Sequence, residues 1–146
     1  MPRWLGANLD ARPQFAMSQR GQISFGAGAW LEHGVVLHGY GGRIRVGRDA
    51  FIGPHTVIYG HGGVVIGDAC LIASHCRILS SNHTVAPFGT DIRTQPDVLQ
   101  PTRLGRDVWL GAGSVVTRDL PAGAICWGSP AEVRRFRDGA PGQPAS

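Results

Sequence analysis

Aliphatic residues recur at every sixth position along most of this chain. Taken in sixes from Phe25, the sequence reads FGAGAW, LEHGVV, LHGYGG. Three extra residues later come VGRDAF, IGPHTV, IYGHGG, and after two more IGDACL, IASHCR, ILSSNH. A twenty-residue excursion, 84 to 103, separates these from LGRDVW, LGAGSV and VTRDLP. The first position is aliphatic or Phe throughout: Phe25, Leu31, Leu37, Val46, Ile52, Ile58, Ile66, Ile72, Ile78, Leu104, Leu110 and Val116. The fifth is mostly small, as at Ala29, Ala50, Thr56, Cys70, Cys76 and Ser114. The fourth favours Gly, Asp, Ser or His, which tolerate a left-handed turn conformation.

A period of six fits neither an amphipathic helix nor a strand of an open sheet. It fits a short strand followed by a tight turn, with alternate residues facing inward. Three such units close a triangular coil of 18 residues, and stacked coils bury a continuous core. All the insertions follow a third hexad and so fall at one corner, as a triangular coil requires. The pattern therefore predicts an all-β parallel β-helix of about four coils.

Composition agrees. At 146 residues the chain is one domain by size, with 22 glycines and few helix formers. Cys70, Cys76 and Cys126 form no CxxC pair, and an odd number argues against a disulfide framework; they read as buried, inert thiols. All 14 basic residues are arginine and the net charge is a modest +4. Without a nucleic-acid motif or interleaved aromatics, the cluster VRRFR points to a small anionic ligand rather than to nucleic acid. No apolar run is long enough to span a bilayer and MPRWLGANLDARPQ lacks a signal peptide's apolar stretch, so a cytoplasmic protein is expected. Residues 1–22 lack the period and are expected to cap the first coil. The tail, 138–146, reads as flexible.

The hexads IGDACLIA and LGRDVWLGAG resemble those of the hexapeptide-repeat acyltransferases, whose fold is a left-handed parallel β-helix. The resemblance covers about residues 23 to 136. It implies a β-helix over 23–121 with an extruded loop, 84–103, then a GxPA turn and short C-terminal helix over 122–137. It is nearest to the maltose- and galactoside-type sugar O-acetyltransferases and their polysaccharide-modifying relatives. In them a histidine ends a hexad at a corner, opens an extruded loop and serves as general base.

Here SSNHT puts Asn82 and His83 at the matching point. The chemistry suits the place: imidazole can take a proton from a sugar hydroxyl near neutral pH and return one to a departing thiolate. This chain has no glutamate between Glu32 and Glu132 to orient the histidine, which leaves Asp91, Asp97, Asn82 or a backbone carbonyl. The resemblance further implies acetyl-CoA along the later coils, beside Trp109, Gly111, Gly113, Thr117 and Arg118. Gly128, Ser129, Pro130, Arg134 and Arg135 would follow in the GxPA turn and helix, the arginines meeting CoA phosphates. Glu132 stands where relatives carry a basic residue, and DVWLGAGSVVTRD fuses two hexads that relatives separate by a coil. His61 and Tyr40, stacked at the corner of His83, would touch the acceptor. Family members are homotrimers with sites between subunits, and the same is expected here.

Other readings are an amino-sugar N-acetyltransferase, a γ-carbonic-anhydrase-like zinc enzyme and a non-catalytic scaffold. His33 and His38 share the register of two zinc ligands in γ-carbonic anhydrases, but no histidine precedes them to supply a third, so no metal is expected. His55 and His75 read as turn residues.

Overall fold

Each hexad becomes a short strand and a turn. A computed structural model describes residues 22–143, preceded by the strands Asn8–Leu9 and Gln14–Ala16. Three faces result. The first stacks Asn8–Leu9, Trp30–Leu31, Phe51–Ile52, Leu71–Ile72, Trp109–Leu110 and Ala124–Gly128, all parallel. The second stacks Gln14–Ala16, Val36–His38, Val57–Tyr59, Arg77–Leu79 and Val115–Val116. On the third lie Gln22–Phe25, Arg43–Val46, Val64–Ile66 and Thr102–Leu104, with Leu120 bridged to Leu104.

The core is the column of first and fifth positions. Leu31, Ile52, Ile72 and Leu110 lie in register on the first face and are fully buried, as are Leu37, Ile58, Ile78 and Val116 on the second. Each such side chain stabilises the fold by about 1.5–3 kcal/mol. The fifth positions are small because they share that interior: Ala29, Ala50, Thr56, Cys76 and Ser114 are fully buried too. Thr56 satisfies its hydroxyl by donating to the Ala73 carbonyl at 3.1 Å.

Turn chemistry separates the corners. Between the third and first faces the fourth positions Gly28, Asp49, Ala69 and Asp107 all have positive φ, as do Gly34, His55, His75 and Gly113 between the first and second. At the remaining corner, between the second and third faces, Tyr40 has positive φ but His61, Ser81 and Asp119 do not. This is the corner where the insertions fall, and its backbone is free to depart from the tight turn.

Asn8–Leu9 and Gln14–Ala16 cover the edge of the first coil as strands of the stack itself, Leu9 pairing with Leu31 and Phe15 with Leu37. The rest of residues 1–21 lies outside the described residues. Two expectations need correction. The excursion rejoins the helix before residue 103, because Thr102–Leu104 is already paired with Val64–Ile66 and Thr102 donates to the Leu79 carbonyl at 2.8 Å. And 131–136 is not a helix. Ala131–Phe136 runs back antiparallel to Ala124–Gly128 after a turn through a cis Ser129–Pro130 bond. The open edge of the first face offers that segment backbone partners, which outweigh the helix preference of Ala, Glu and Arg.

Beyond it Arg137 N–H donates to the Gly123 carbonyl and two successive turns follow, where a flexible tail is expected; residues 144–146 lie outside the described residues. Among the described residues no helix is long and apolar enough to cross a membrane.

Candidate active site

The site lies at the irregular corner. After Arg77–Leu79 the chain leaves the second face as the strand Ser81–His83, which pairs antiparallel with Asp97–Leu99 and places His83 directly opposite Asp97. The loop between them carries one 3-10 turn, Ile92–Thr94, and is braced by Thr84, whose hydroxyl donates to the Pro96 carbonyl at 2.8 Å. Residues facing each other across an antiparallel ladder have side chains within reach. Here His83 Nδ1 lies 2.8 Å from Asp97 Oδ1.

Asp97 resolves the open question of what orients His83. A carboxylate only accepts, so in the neutral imidazole this contact favours the Nδ1–H tautomer, which keeps the Nε2 lone pair. Asn82 does something else: its Oδ1 accepts the His83 backbone N–H at 2.8 Å, fixing the strand end. Asp91 accepts from the Thr94 hydroxyl through its carbonyl and makes no hydrogen bond to His83. The His83 side chain is 73% exposed, open to an incoming ligand, while that of Asp97 is 31% exposed.

The other oxygen of Asp97 is also taken. His61, at the same corner one coil earlier, puts its Nδ1 3.2 Å from Asp97 Oδ2. Tyr40, another coil earlier, lies 6.0 Å from the His61 ring and 3.5 Å from that of His38, on which it stacks. Tyr59, in register with His38, meets Tyr40 edge-on at 5.2 Å. Partial burial and the neighbouring Tyr59 hydroxyl raise the Tyr40 pKa. Tyr59 escapes a hexad reading because it is an outward second position; its pairing with His38 is the signal that would have found it.

The residues expected along the acyl donor divide between two places. Thr117 and Arg118 follow Val115–Val116 at the corner of His83, one coil further on, and both are exposed. Gly111 and Gly113 sit at the opposite edge of the second face, where a Cβ on Gly113 would meet nothing within 4 Å. Gly128, Ser129 and Pro130 form the turn above them. Arg134 donates to the Trp127 carbonyl and its guanidinium lies 5.7 Å from the Trp127 ring centroid, with Glu132 3.3 Å away. Arg135 pairs opposite Ile125 on the first face, and Trp109 is on the outer side of that face beside Leu71, so neither is brought to the corner of His83.

The histidines of the zinc reading part company. His33 packs on His55 at 5.4 Å at one edge of the second face and His38 on Tyr40 at the other. No group of His, Cys, Asp or Glu among the described residues is placed to hold a metal. Cys70, Cys76 and Cys126 are buried, and desolvation raises each thiol pKa, to about 11 for Cys70 and Cys126.

Comparison with known proteins agrees with this architecture. The family model described as the hexapeptide repeat of succinyl-transferase matches residues 43–74. Nodulation protein L of Rhizobium meliloti is 34% identical over 65% of this chain and 61% of its own. Galactoside O-acetyltransferase of Escherichia coli is 29% identical over 75% of this chain and 62% of its own. The chain thus spans about three-fifths of the length of these two curated relatives. Among solved structures, a hexapeptide-repeat-containing acetyltransferase from Vibrio cholerae superimposes with a TM-score of 0.64 at 22% identity, covering 90% of this chain and 72% of its own. The resemblance to hexapeptide-repeat acyltransferases read from the repeat is borne out.

Proposed function

We propose that this chain transfers an acetyl group from acetyl-CoA to a sugar hydroxyl, with His83 as general base. The observation that carries the reading is the His83–Asp97 pair, an exposed imidazole whose Nδ1 is held 2.8 Å from a carboxylate at the mouth of an extruded loop. With Nδ1–H donated to Asp97, Nε2 takes the proton of the acceptor hydroxyl as its oxygen attacks the thioester carbonyl. The tetrahedral intermediate then collapses, the C–S bond breaks, and the imidazolium returns the proton to the CoA thiolate. Asp97 stabilises the imidazolium between those steps. This is direct transfer, with no acyl-enzyme, and the buried thiols take no part.

Thr117 and Arg118 would lie against the donor, Arg118 as a cation for a CoA phosphate; it has no carboxylate partner among the described residues. The open backbone at Gly113 and the turn Gly128, Ser129 and Pro130 would border the same ligand further along. Tyr40 and Tyr59, 42% and 37% exposed and grouped with His61, offer aromatic surface on which the apolar C–H face of a sugar can rest. We assign the protein a homotrimeric state. The exposed apolar column Trp30, Leu71 and Trp109 on the first face supplies a surface for it.

The test is release of free thiol from acetyl-CoA across a panel of hexoses, galactosides, nucleotide sugars and oligosaccharides. Acceptor-dependent thiol release with ester formation supports the reading. Turnover with amino sugars alone, giving amides, would move it to N-transfer, and no acceptor-dependent release at all would remove it.

A further inference from the structure

We infer that His61 is a positioning residue, which holds Asp97 from the rigid body of the β-helix so that Asp97 can hold His83; the inference rests on the reading of His83 as the base. His83 and Asp97 both stand on a two-stranded ladder of three residues a side, and such a hairpin alone is marginal in water. Within their own ladder the His83 contact engages only one oxygen of the Asp97 carboxylate, Oδ1. His61 meets the other oxygen from outside it: its Nδ1 lies 3.2 Å from Oδ2, while His83 Nδ1 lies 2.8 Å from Oδ1.

The anchor is well set. The turn around His61 is bonded to the coils on both sides, with Gly60 N–H donating to the His38 carbonyl at 2.8 Å and Gly62 N–H to Ser80 Oγ at 3.0 Å. Ser80 Oγ–H in turn donates to the Tyr59 carbonyl at 2.6 Å. The His61 side chain is 31% exposed against 73% for His83, so it faces the carboxylate more than the solvent. This differs from the role of acceptor contact expected from its place in the hexad. The consequence is a defined tautomer. With both carboxylate oxygens engaged, Asp97 keeps His83 in the Nδ1–H form, the one that leaves Nε2 free to accept a proton. Without His61 the carboxylate turns, and His83 samples the Nε2–H form, which accepts nothing at that atom.

Long-range proton–nitrogen spectra of the ligand-free protein at a pH where His83 is neutral read this directly. His61→Phe removes the donor but keeps a ring against Tyr40, and His61→Asn returns an N–H near the place of Nδ1. Wild type should show a single Nδ1–H tautomer at His83, His61→Phe a loss of that signature towards exchanging tautomers, and His61→Asn its recovery. A His83 that stays Nδ1–H in folded His61→Phe, or that is Nε2–H in wild type, would overturn the inference. Because no turnover is measured, the result stands apart from whether the sugar-acetyltransferase reading survives.

Discussion

His83 and Asp97 are fourteen residues apart in sequence and directly opposite in the ladder, with Nδ1 and Oδ1 2.8 Å apart. The pairing needs the extruded loop to close on itself. On the reading of His83 as the base, it makes the loop part of the catalytic pair rather than only a wall beside it.

Asp97→Asn is therefore expected to damage chemistry more than binding. The amide keeps the shape but no longer stabilises an imidazolium, and it can present its NH₂ to Nδ1 and so enforce the wrong tautomer. A fall in kcat of about 10²-fold or more is expected, within the contribution of a positioned acid–base group. KM for acetyl-CoA should change little. Steady-state kinetics by thiol release checks this, and an unchanged kcat would detach Asp97 from the reaction.

Arg118→Ala should weaken acetyl-CoA. A hydrogen bond to a charged group contributes about 1.5–3 kcal/mol, so the dissociation constant should rise roughly ten-fold or more. Arg135→Ala is the comparison: its place on the first face, opposite Ile125, predicts a smaller effect. Calorimetry with CoA decides between them. A larger loss at Arg135 would place the donor across the first face instead.

The thiols give a pH dependence. Burial holds Cys70 and Cys126 protonated up to about 11, above the ordinary thiol value of 9.0. Between those values the unfolded chain binds fewer protons than the folded one, so stability falls as pH rises. This stabilisation is complete below pH 9 and is lost progressively towards pH 11. The melting temperature should drop over that window, and less steeply in Cys70→Ala than in wild type. At pH 8 the folded protein should resist a thiol reagent that reacts at once in denaturant; fast labelling of the native state would contradict the burial of these side chains.

Much of the fold was legible because a repeat that must bury one side chain per turn writes itself into every hexad. Ile52, Ile72 and Leu110 are in one column for the reason they are six-fold periodic, and Asp49, His55 and Asp107 are where a turn needs positive φ. His83 was legible as the place where the rhythm stops. Asp97 was one of several orienters because no period links it to His83; the link is an antiparallel register inside the excursion. Leu9 and Phe15 were missed because the spacing to the next coil is irregular, though their partners Leu31 and Leu37 are hexad leaders. The strand Ala131–Phe136 was missed for another reason. Its composition favours a helix, and what it obeys is the unfilled edge of Ala124–Gly128, which local sequence does not record.

The central claim is that His83 is the base, and the direct measurement is kcat for His83→Ala beside His75→Ala. His75 is an exposed imidazole in the same coil, stacked on His55 at 5.1 Å at another corner, and serves as the matched control. The account predicts a fall of about 10²–10⁴-fold for His83→Ala, with acetyl-CoA affinity and melting temperature preserved, and near-normal turnover for His75→Ala. Full activity in a folded His83→Ala protein would contradict it.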